Sequence, residues 1–268
     1  MATGKNFADA LAGSYLSVVK DAPILLTNGK SDNVAKLHDY IKENVNTGGT
    51  IYILGGEGAV SKSVESISGY GIKRLFGITR YDTNIEILKE AGIAEDKLIV
   101  ATGKSFADSL SASASKLPIL LVSPGKTLND EQKEILEDVN DIYIVGGEGA
   151  VSESYAKELE AYGTVERVYG TSRYDTSVAV ANTFFGDVDI AVVASGKNFP
   201  DGLCGGPLAA AMNAPLILTA DGKATAASEY MQIGNINSGY VFGGDGALSD
   251  ETVMQVFQLK SSDEIVQH

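Results

Sequence analysis

The stretch that decides the fold is TGKNFADALAG, residues 3–13, because the chain returns to it twice. It recurs as TGKSFADSLSA at residues 102–112 and as SGKNFPDGLCG at residues 195–205. The glycine, lysine, phenylalanine, aspartate and leucine keep their places while the residues between them vary. Successive copies lie 99 and 93 residues apart. A repeat of this length is about the size of a small domain.

Three further blocks repeat in a fixed order around the first. An apolar run lies at 22–27, 117–122 and 214–219, and a glycine-rich block lies at 51–61, 142–152 and 239–249. A last block, RLFGITRYDT at 74–83, returns once as RVYGTSRYDT at 167–176. The chain therefore holds three cores and two RYDT segments. We predict three modules over 1–73, 74–166 and 167–268, and expect either a fragment of a longer protein or a first module trimmed at its N-terminus.

The fold class follows from the pattern inside one unit. In the second unit, apolar runs at 97–102, 118–122, 141–147 and 165–170 alternate with helical patterns. Continuous apolar strands that alternate with helices are typical of a parallel sheet covered on both faces. The sequence therefore predicts an α/β fold, repeated in each module.

Composition and charge limit the possible partners. The chain has 268 residues, of which 44% are hydrophobic and 21% charged, as in soluble globular proteins. Its formal net charge of −14 argues against non-specific binding to nucleic acid or to an anionic membrane, because both need a basic surface. No apolar run is long enough to cross a bilayer, and the first ten residues lack the pattern of a signal peptide. The lone cysteine, Cys204, is interpreted as a small core residue.

The opening block also carries helix-capping signals. Asn6 follows a glycine turn and Asp9 stands three residues further on, which is close to a capping box. We predict N-caps and capping-box aspartates in all three copies at Asn6, Asp9, Ser105, Asp108, Asn198 and Asp201.

The later blocks carry the same kind of signal. In TRYDT and SRYDT, Thr79 and Ser172 are expected to cap a helix, with Asp82 and Asp175 three residues on. The serine that ends each glycine-rich block is also predicted to cap the next helix, at Ser61, Ser152 and Ser249.

Capping does not explain the cations beside these helix starts. A positive charge at a helix N-terminus opposes the helix dipole by roughly 0.3 to 1 kcal/mol. Such charges recur at Lys5, Lys104, Lys197, Arg80 and Arg173. Two explanations stay open: internal ion pairs with carboxylates, or anion sites made by the cations together with backbone N–H groups.

The glycine-rich block does not support a cofactor site. It follows a strand and opens a helix, but after Gly56 and Gly58 the third glycine of a dinucleotide fingerprint is replaced. Gly55 and Gly56 are better explained by a sharp turn at the strand end. No spacing typical of zinc or calcium ligands occurs, so we predict neither cofactor nor metal.

No arrangement typical of nucleophilic or acid–base catalysis stands out in the sequence. Every polar signal recurs in each core, whereas an enzyme usually builds one asymmetric site. Equivalent repeated sites suit multivalent binding of a repetitive ligand, because linked weak sites gain avidity.

Together, the four ordered blocks resemble the cell-wall-binding repeat type 2 of surface proteins from clostridia and related Gram-positive bacteria. The resemblance covers nearly the whole chain. It implies three Rossmann-like modules around a pseudo-threefold axis, which makes the chain a monomer with an internal pseudo-trimer. It also implies a module without catalytic activity that holds a secreted protein on the cell surface by binding an anionic secondary cell-wall glycopolymer.

The resemblance further implies candidate binding residues. In that family a Pro-Ile-Leu-Leu motif and an arginine are associated with polymer attachment. The motif corresponds to Pro23, Ile24, Leu25, Leu26, Pro118, Ile119, Leu120 and Leu121, and the arginine to Arg80 and Arg173. The third copy departs from the motif as Pro215, Leu216, Ile217, Leu218, which puts its ligand role in doubt. The aliphatic residues themselves are typical of a buried strand.

Two rival hypotheses remain at this point. One is an α/β enzyme or sensor that binds a nucleotide-sugar or phosphorylated metabolite in a strand-end crevice of one module. The other is a structural assembly module in which the repeated charges pair between modules.

Overall fold

The computed structural model describes residues 1–93 and 96–266, in which the strands form three separate parallel sheets. The first sheet has the order β2-β1-β3-β4, with β1 (Ala2–Thr3), β2 (Leu26–Thr27), β3 (Thr50–Leu54) and β4 (Gly71–Leu75). The second has the order β6-β5-β7-β8, with β5 (Lys97–Thr102), β6 (Ile119–Val122), β7 (Asp141–Val145) and β8 (Thr164–Val168). The third has the order β10-β9-β11, with β9 (Ala191–Ser195), β10 (Leu216–Thr219) and β11 (Gly239–Phe242).

Helices connect these strands, except that β3 and β4 are joined by a short 3₁₀ turn. They are α1 (Ala8–Val19), α2 (Ser31–Asn44), α3 (Arg80–Ala91), α4 (Ala107–Ala112), α5 (Asp130–Leu136), α6 (Glu153–Leu159), α7 (Arg173–Phe184), α8 (Pro200–Ala211), α9 (Thr225–Ile233) and α10 (Asp250–Phe257). Short 3₁₀ turns lie at Lys62–Glu65 and Ser262–Glu264. The expected α/β fold with short parallel sheets is confirmed.

The central strand of each sheet is buried on both faces. In the second sheet Ile99 pairs with Ile119 on one side and with Tyr143 on the other. The exposed fraction of Leu98, Ile99 and Val100 is 0%. This burial accounts for the uninterrupted apolar runs in the sequence, because a strand covered on both faces has no polar side.

The RYDT helices pack on the sheet that follows them in the chain. Helix α3 lies against β6 and α5, and α7 lies against β10 and α9. The predicted module boundaries at 73/74 and 166/167 fall inside β4 and β8, which are paired to β3 and β7.

Each RYDT helix also forms side-chain hydrogen bonds with backbone groups at the outer edge of a neighbouring strand. The buried side chain of Asn84 donates to the carbonyl of Ile119 and accepts from the amide of Leu121, both at 2.8 Å. In the next module the Ser177 hydroxyl accepts from the amide of Leu218 at 3.0 Å. The edges of β6 and β10 are thus covered by side chains from α3 and α7.

The three modules meet at a triangle of aromatic rings from the three copies of the opening block. The ring centroids of Phe7, Phe106 and Phe199 are 5.7 to 6.1 Å apart, and each pair is inclined by 61° to 63°. Edge-to-face contacts of this kind are favourable for aromatic pairs. The near-equal distances and angles are those of a pseudo-threefold axis through the centre of the triangle.

Two further sequence expectations concern single features. Cys204 is half-buried in α8, its Sγ lies 3.8 Å from the carbonyl oxygen of Ile24, and burial raises the pKa of the thiol. Within residues 1–93 and 96–266, no helix combines the length and apolar character needed to cross a membrane.

Candidate functional site

Two equivalent cavities open at the carboxyl ends of the strands in the first two modules. Recess 1 has a volume of about 340 Å³ and recess 2 of about 540 Å³. Recess 1 is lined by Asn6, Asp9, Gly56, Gly58, Thr79 and Arg80. Recess 2 is lined by Ser105, Asp108, Gly147, Gly149, Ser172 and Arg173, with Lys104 beside them. Each of these six residues in recess 1 has its repeat counterpart in recess 2.

The topology explains why the cavities form where they do. From β5 the chain crosses to β6 on one side and then to β7 on the other, so neighbouring crossovers diverge above β5 and β7. A crevice at the carboxyl ends of such strands is the usual ligand position in open α/β sheets. Recess 2 lies at this point, and recess 1 lies at the matching point above β1 and β3.

A repeated aspartate lines each recess and packs against a repeated glycine at the end of β3 or β7. Gly55 and Gly146 follow β3 and β7 with φ of +110° and +117°, which favours glycine. A β-carbon on Gly55 would lie 2.5 Å from Oδ2 of Asp9, and one on Gly146 would lie 2.7 Å from Oδ2 of Asp108. The third module repeats the arrangement with Asp201 and Gly243. The aspartates therefore recur because they pack on the turn, which is possible only without a side chain at the glycine.

Burial at this position changes the acidity of the aspartates. Desolvation raises the pKa of Asp108 to about 6, and the charge of Arg173 opposes part of that rise. The same two effects, with Arg80 as the opposing charge, raise the pKa of Asp9. The recesses thus contain carboxyl groups that titrate closer to neutrality than an exposed aspartate.

In the opening block the helices begin one residue later than predicted, and the expected capping boxes are not formed. The N-cap positions of α1, α4 and α8 are Phe7, Phe106 and Phe199, which have helical backbone angles and make no side-chain cap hydrogen bond. The aspartates are therefore second rather than third in their helices and do not form the expected capping boxes. Asn6 accepts a hydrogen bond from the amide of Ala8 at 3.2 Å. Ser105 lines recess 2, and Asn198 is exposed beside α8.

The other predicted capping residues lie at helix starts as the sequence suggests. Thr79 and Asp82 form a capping box at α3, and the Ser172 hydroxyl accepts from the amide of Asp175 at α7. Hydrogen bonds from Thr171 and Ser172 lower the pKa of Asp175. The remaining three serines cap the turn or helix that follows them: Ser61, Ser152 and Ser249.

The lysines of the opening block are exposed and are absent from the ion pairs of the described residues. Lys5, Lys104 and Lys197 are all exposed, and within the described residues none has a carboxylate oxygen within 4.0 Å of its ammonium group. Lys104 lines recess 2 and also a second cavity next to Arg80 and Pro124. The internal ion pairs considered for these lysines are therefore not formed.

The arginines of the RYDT blocks join neighbouring modules. Arg80 donates to the carbonyl of Gly103 at 2.7 Å and its guanidinium lies 5.3 Å from the centre of the Phe7 ring. Arg173 repeats both contacts with Gly196 at 2.6 Å and Phe106 at 5.4 Å. The guanidinium groups therefore lie between two modules and beside a recess, and only one nitrogen of each is used by the carbonyl contact.

Most of the Pro-Ile-Leu-Leu residues lie in the core rather than on a binding surface. Ile119, Leu120 and Leu121 have exposed fractions of 2%, 0% and 0%, and Pro118 and Ile24 are also buried. The prediction that these five side chains contact an external polymer directly is wrong, because all five are buried. Strand β6 is covered by α1, α3 and β5, and Ile24 packs in a hydrophobic core cluster. Pro23 is exposed, and Leu25 and Leu26 are half-buried.

Two features near the recesses escaped sequence reasoning. Arg74 donates to the carbonyls of Gly55 and Val60 and pairs with Glu65, which fixes the glycine-rich turn from below. Arg167 binds the carbonyls of Gly146 and Val151 in the same way. Their position in the repeated RLFG and RVYG segments was the available signal.

The second missed feature is a pair of exposed aromatic rings. Phe76 and Tyr169 are 55% and 56% exposed at the ends of β4 and β8. Each lies next to a recess glycine, because a β-carbon added to Gly56 or Gly147 would be in van der Waals contact with the ring. Residues 1–93 and 96–266 contain no cluster of His, Cys, Asp and Glu able to hold a metal ion.

The fold and the paired recesses define a repeat protein with equivalent strand-end sites. Residues 1–65, 74–156 and 167–253 match the family Cell wall binding domain 2 (CWB2). The chain belongs to this family, and the resemblance stated from the sequence is confirmed. Cell-wall binding is therefore the function of its repeats.

Two curated relatives and two solved structures extend the comparison. The chain is 28% identical over 267 residues to the N-acetylmuramoyl-L-alanine amidase LytC of Bacillus subtilis (strain 168), covering 94% of this chain and 51% of that protein. It is 30% identical over 230 residues to the amidase enhancer of the same strain, covering 83% of this chain and 31% of that protein. The chain thus spans about half and about a third of these relatives.

Two solved structures match the fold of nearly the whole of this chain, which corresponds to less than half of each of them. Cwp8 from Clostridium difficile has a TM-score of 0.82 and 27% identity over 97% of this chain and 47% of its own. Cwp6 from Clostridium difficile, with a TM-score of 0.80, 23% identity and coverage of 97% of this chain and 43% of its own, shows the fold alone. The comparisons give the nucleotide-sugar or metabolite alternative no support.

Proposed function

We propose that the chain binds an anionic secondary cell-wall polymer non-covalently through recess 1 and recess 2. The observation that carries the proposal is the set of cations that line the recesses: Arg80 in recess 1, and Arg173 and Lys104 in recess 2. None of them has a carboxylate oxygen within 4.0 Å among the described residues. In a protein of net charge −14, an anionic ligand needs such a local basic site.

The recesses also supply neutral donors for an anion. Each lies beside the first turn of two helices, where backbone N–H groups have no partner within the helix. The hydroxyl groups of Thr79 and Ser172 are not among these donors, because each donates its proton to Asp82 or Asp175. Lysine, arginine and backbone donors together suit phosphate or carboxylate groups.

Two equivalent recesses in one chain suit a polymer with a repeating anionic group. If both are occupied by one polymer molecule, the second contact is intramolecular and adds avidity without new chemistry. We propose that the unit is a monomer, with its three modules in one chain, and that it acts at the cell surface after secretion.

We also propose that the chain has no catalytic activity of its own. LytC is an amidase, but the chain corresponds to about half of it. The polar groups of the recesses repeat between modules as a set, which suits binding rather than one asymmetric reaction. Incubation of the purified chain with cell walls should release no new amino or reducing ends; release of either would contradict the proposal.

The binding proposal is tested by retention on purified wall polymer. Lys104 is the best position, because its side chain is exposed and its replacement should leave the fold intact. Lys104→Ala, and more strongly Lys5→Ala combined with Lys104→Ala, should reduce retention, and added salt should weaken the unmodified chain as well. Lys42→Ala on α2, which removes an exposed lysine paired with Asp39, is the matched control. Equal retention of all these variants would refute the proposal.

A further inference from the structure

The two exposed rings at the recess rims carry an inference that rests on the proposed function and names part of its ligand. Phe76 and Tyr169 occupy the same position in two modules, directly after β4 and β8. Single exposed apolar side chains are common on protein surfaces. The same exposed aromatic position in two modules, each time beside a recess, is a more specific observation.

The local backbone holds each ring outward. Leu75 and Val168, one residue earlier, are buried at 6% and 4%, so strand alternation directs Phe76 and Tyr169 to the surface. Gly77 follows Phe76, and a β-carbon there would lie 2.3 Å from Cβ of Asp82. Gly170 has the same relation to Asp175. The segment after each ring is therefore tightly packed, which fixes the direction of the ring.

The neighbouring glycines leave the rings accessible from the recess side. A β-carbon on Gly56 would lie 3.6 Å from Cδ2 of Phe76, and one on Gly147 would lie 3.7 Å from Cδ2 of Tyr169. Because neither glycine has a side chain, nothing from these positions covers the ring. Each ring therefore lies next to a glycine that lines a recess, and the same recess is also lined by an arginine.

This combination suits a sugar that carries or adjoins an anionic group. An aromatic face is electronegative and attracts the electropositive C–H groups of a pyranose ring, while the cations and amides attract phosphate or carboxylate. A polymer of polyol phosphate has the anion but no ring to stack. We propose that Phe76 and Tyr169 each stack against a pyranose residue of the wall polymer whose adjacent anionic group enters recess 1 or recess 2.

The third module differs at this position. Within residues 1–93 and 96–266, its sheet consists of β10, β9 and β11 and has no strand equivalent to β4 or β8 that would be followed by an exposed ring. The inference therefore assigns the stacking contacts to the first two modules.

The chain contains no tryptophan, which provides a direct optical test. Tyr169→Trp places a single indole at the proposed contact, and its fluorescence should change on addition of an anionic wall polymer with pyranose residues. The same titration with sugar-free poly(glycerol phosphate) should leave the emission unchanged. A response to both polymers, or to neither while binding is seen by retention, would overturn the stacking proposal.

Binding measurements provide the second arm. Phe76→Ala combined with Tyr169→Ala should weaken binding of the pyranose-containing polymer roughly tenfold, because two stacking contacts are lost. Weak binding of poly(glycerol phosphate) should not change. Tyr169→Phe should keep the affinity, and Tyr240→Ala, which removes a 47% exposed tyrosine from β11, is the matched control.

The outcomes separate the stacking proposal from the function on which it rests. Failure of the unmodified chain to bind either polymer would overturn both. Binding that is lost in the Lys5→Ala, Lys104→Ala double variant but unchanged in the double aromatic variant would overturn the stacking alone.

Discussion

Oδ2 of Asp108 lies 2.7 Å from the position that a β-carbon on Gly146 would occupy. The aspartate therefore leaves no room for a side chain at residue 146. The pair explains why an aspartate early in one block and a glycine in another recur together in all three modules. Asp108 also lines recess 2, so the residue that packs on the glycine turn belongs to the candidate site as well.

Replacing Gly146 should therefore be costly. Gly146→Ala introduces a β-carbon that is also 3.0 Å from Cβ of Ala150, at a φ of +117° that L-residues rarely adopt. We expect the free energy of unfolding to fall by about 2 kcal/mol or more, measured by denaturant titration. Gly149→Ala is the control, since no atom lies within 4 Å of its added carbon, and it should change stability by less than about 0.5 kcal/mol. Equal effects at the two positions would show that the close approach to Asp108 is unimportant.

The raised pKa of Asp108 predicts a specific pH dependence of stability. The pKa of Asp108 is about 6 in the folded protein, whereas the ordinary value is 3.8. Between these two pH values the folded protein keeps a proton on Asp108 that the unfolded chain has lost. Its contribution to stability is therefore greatest below about pH 4 and is lost as the pH rises through about 6. Asp108→Asn should raise the free energy of unfolding on the order of 1 kcal/mol at neutral pH and much less at about pH 4.

The control for this experiment has the opposite sign. Hydrogen bonds from Thr171 and Ser172 lower the pKa of Asp175, so its contribution is present above the ordinary pKa and lost on acidification. Asp175→Asn should destabilise the protein at neutral pH. If Asp108→Asn and Asp175→Asn shift the midpoint of unfolding in the same direction at neutral pH, Asp108 does not have the raised pKa from which this prediction starts.

The buried amide of Asn84 should matter more than its size suggests. It serves both the carbonyl of Ile119 and the amide of Leu121 with an exposed fraction of 0%. Asn84→Leu leaves two buried backbone groups without these partners and should lower the free energy of unfolding by about 2 to 4 kcal/mol. Asn84→Ser, which introduces the residue type found at Ser177, should cost less. Calorimetry of the two variants gives the comparison, and equal losses would contradict the hydrogen-bonding role.

The arginine contacts between modules should be detectable apart from ligand binding. Arg173→Ala removes the hydrogen bond to Gly196 and the contact with the Phe106 ring, for a loss of about 1 to 2 kcal/mol in stability without ligand. Arg173→Lys keeps the charge but cannot repeat both contacts, so it should recover little of the loss. Lys104→Ala should leave the thermal midpoint unchanged, which makes it the cleaner variant for binding studies. A thermal midpoint unchanged by Arg173→Ala would exclude the inter-module role.

Much of the fold could be predicted because it rests on local signals that repeat. The apolar run of β5 predicts a strand from a few neighbouring residues. Thr79 and Ser172 predict the starts of α3 and α7 in the same way. The position of the caps at α1, α4 and α8 could not be predicted as well, because Phe7 takes helical angles at the place where Asn6 carries the better capping side chain.

The sites were harder to predict because their members are far apart in the chain. Asp9 meets Gly55 only when the first module folds, and Arg80 meets both Phe7 and Gly103 only when the first two modules pack together. The Pro-Ile-Leu-Leu motif shows the reverse problem. Its residues are adjacent and conspicuous in sequence, yet Ile119 to Leu121 lie inside the second module.

The triangle of Phe7, Phe106 and Phe199 has a consequence for how such a protein can change its length. A stacked repeat array can gain or lose units at its ends, because each unit touches only its neighbours. Here each module contributes one ring to the triangle and contacts both other modules there. A fourth module would find no free position at the triangle, and loss of one module would leave the other two rings without their third partner. This architecture therefore cannot gain or lose a single module. A protein with more binding sites would need a second complete set of three modules.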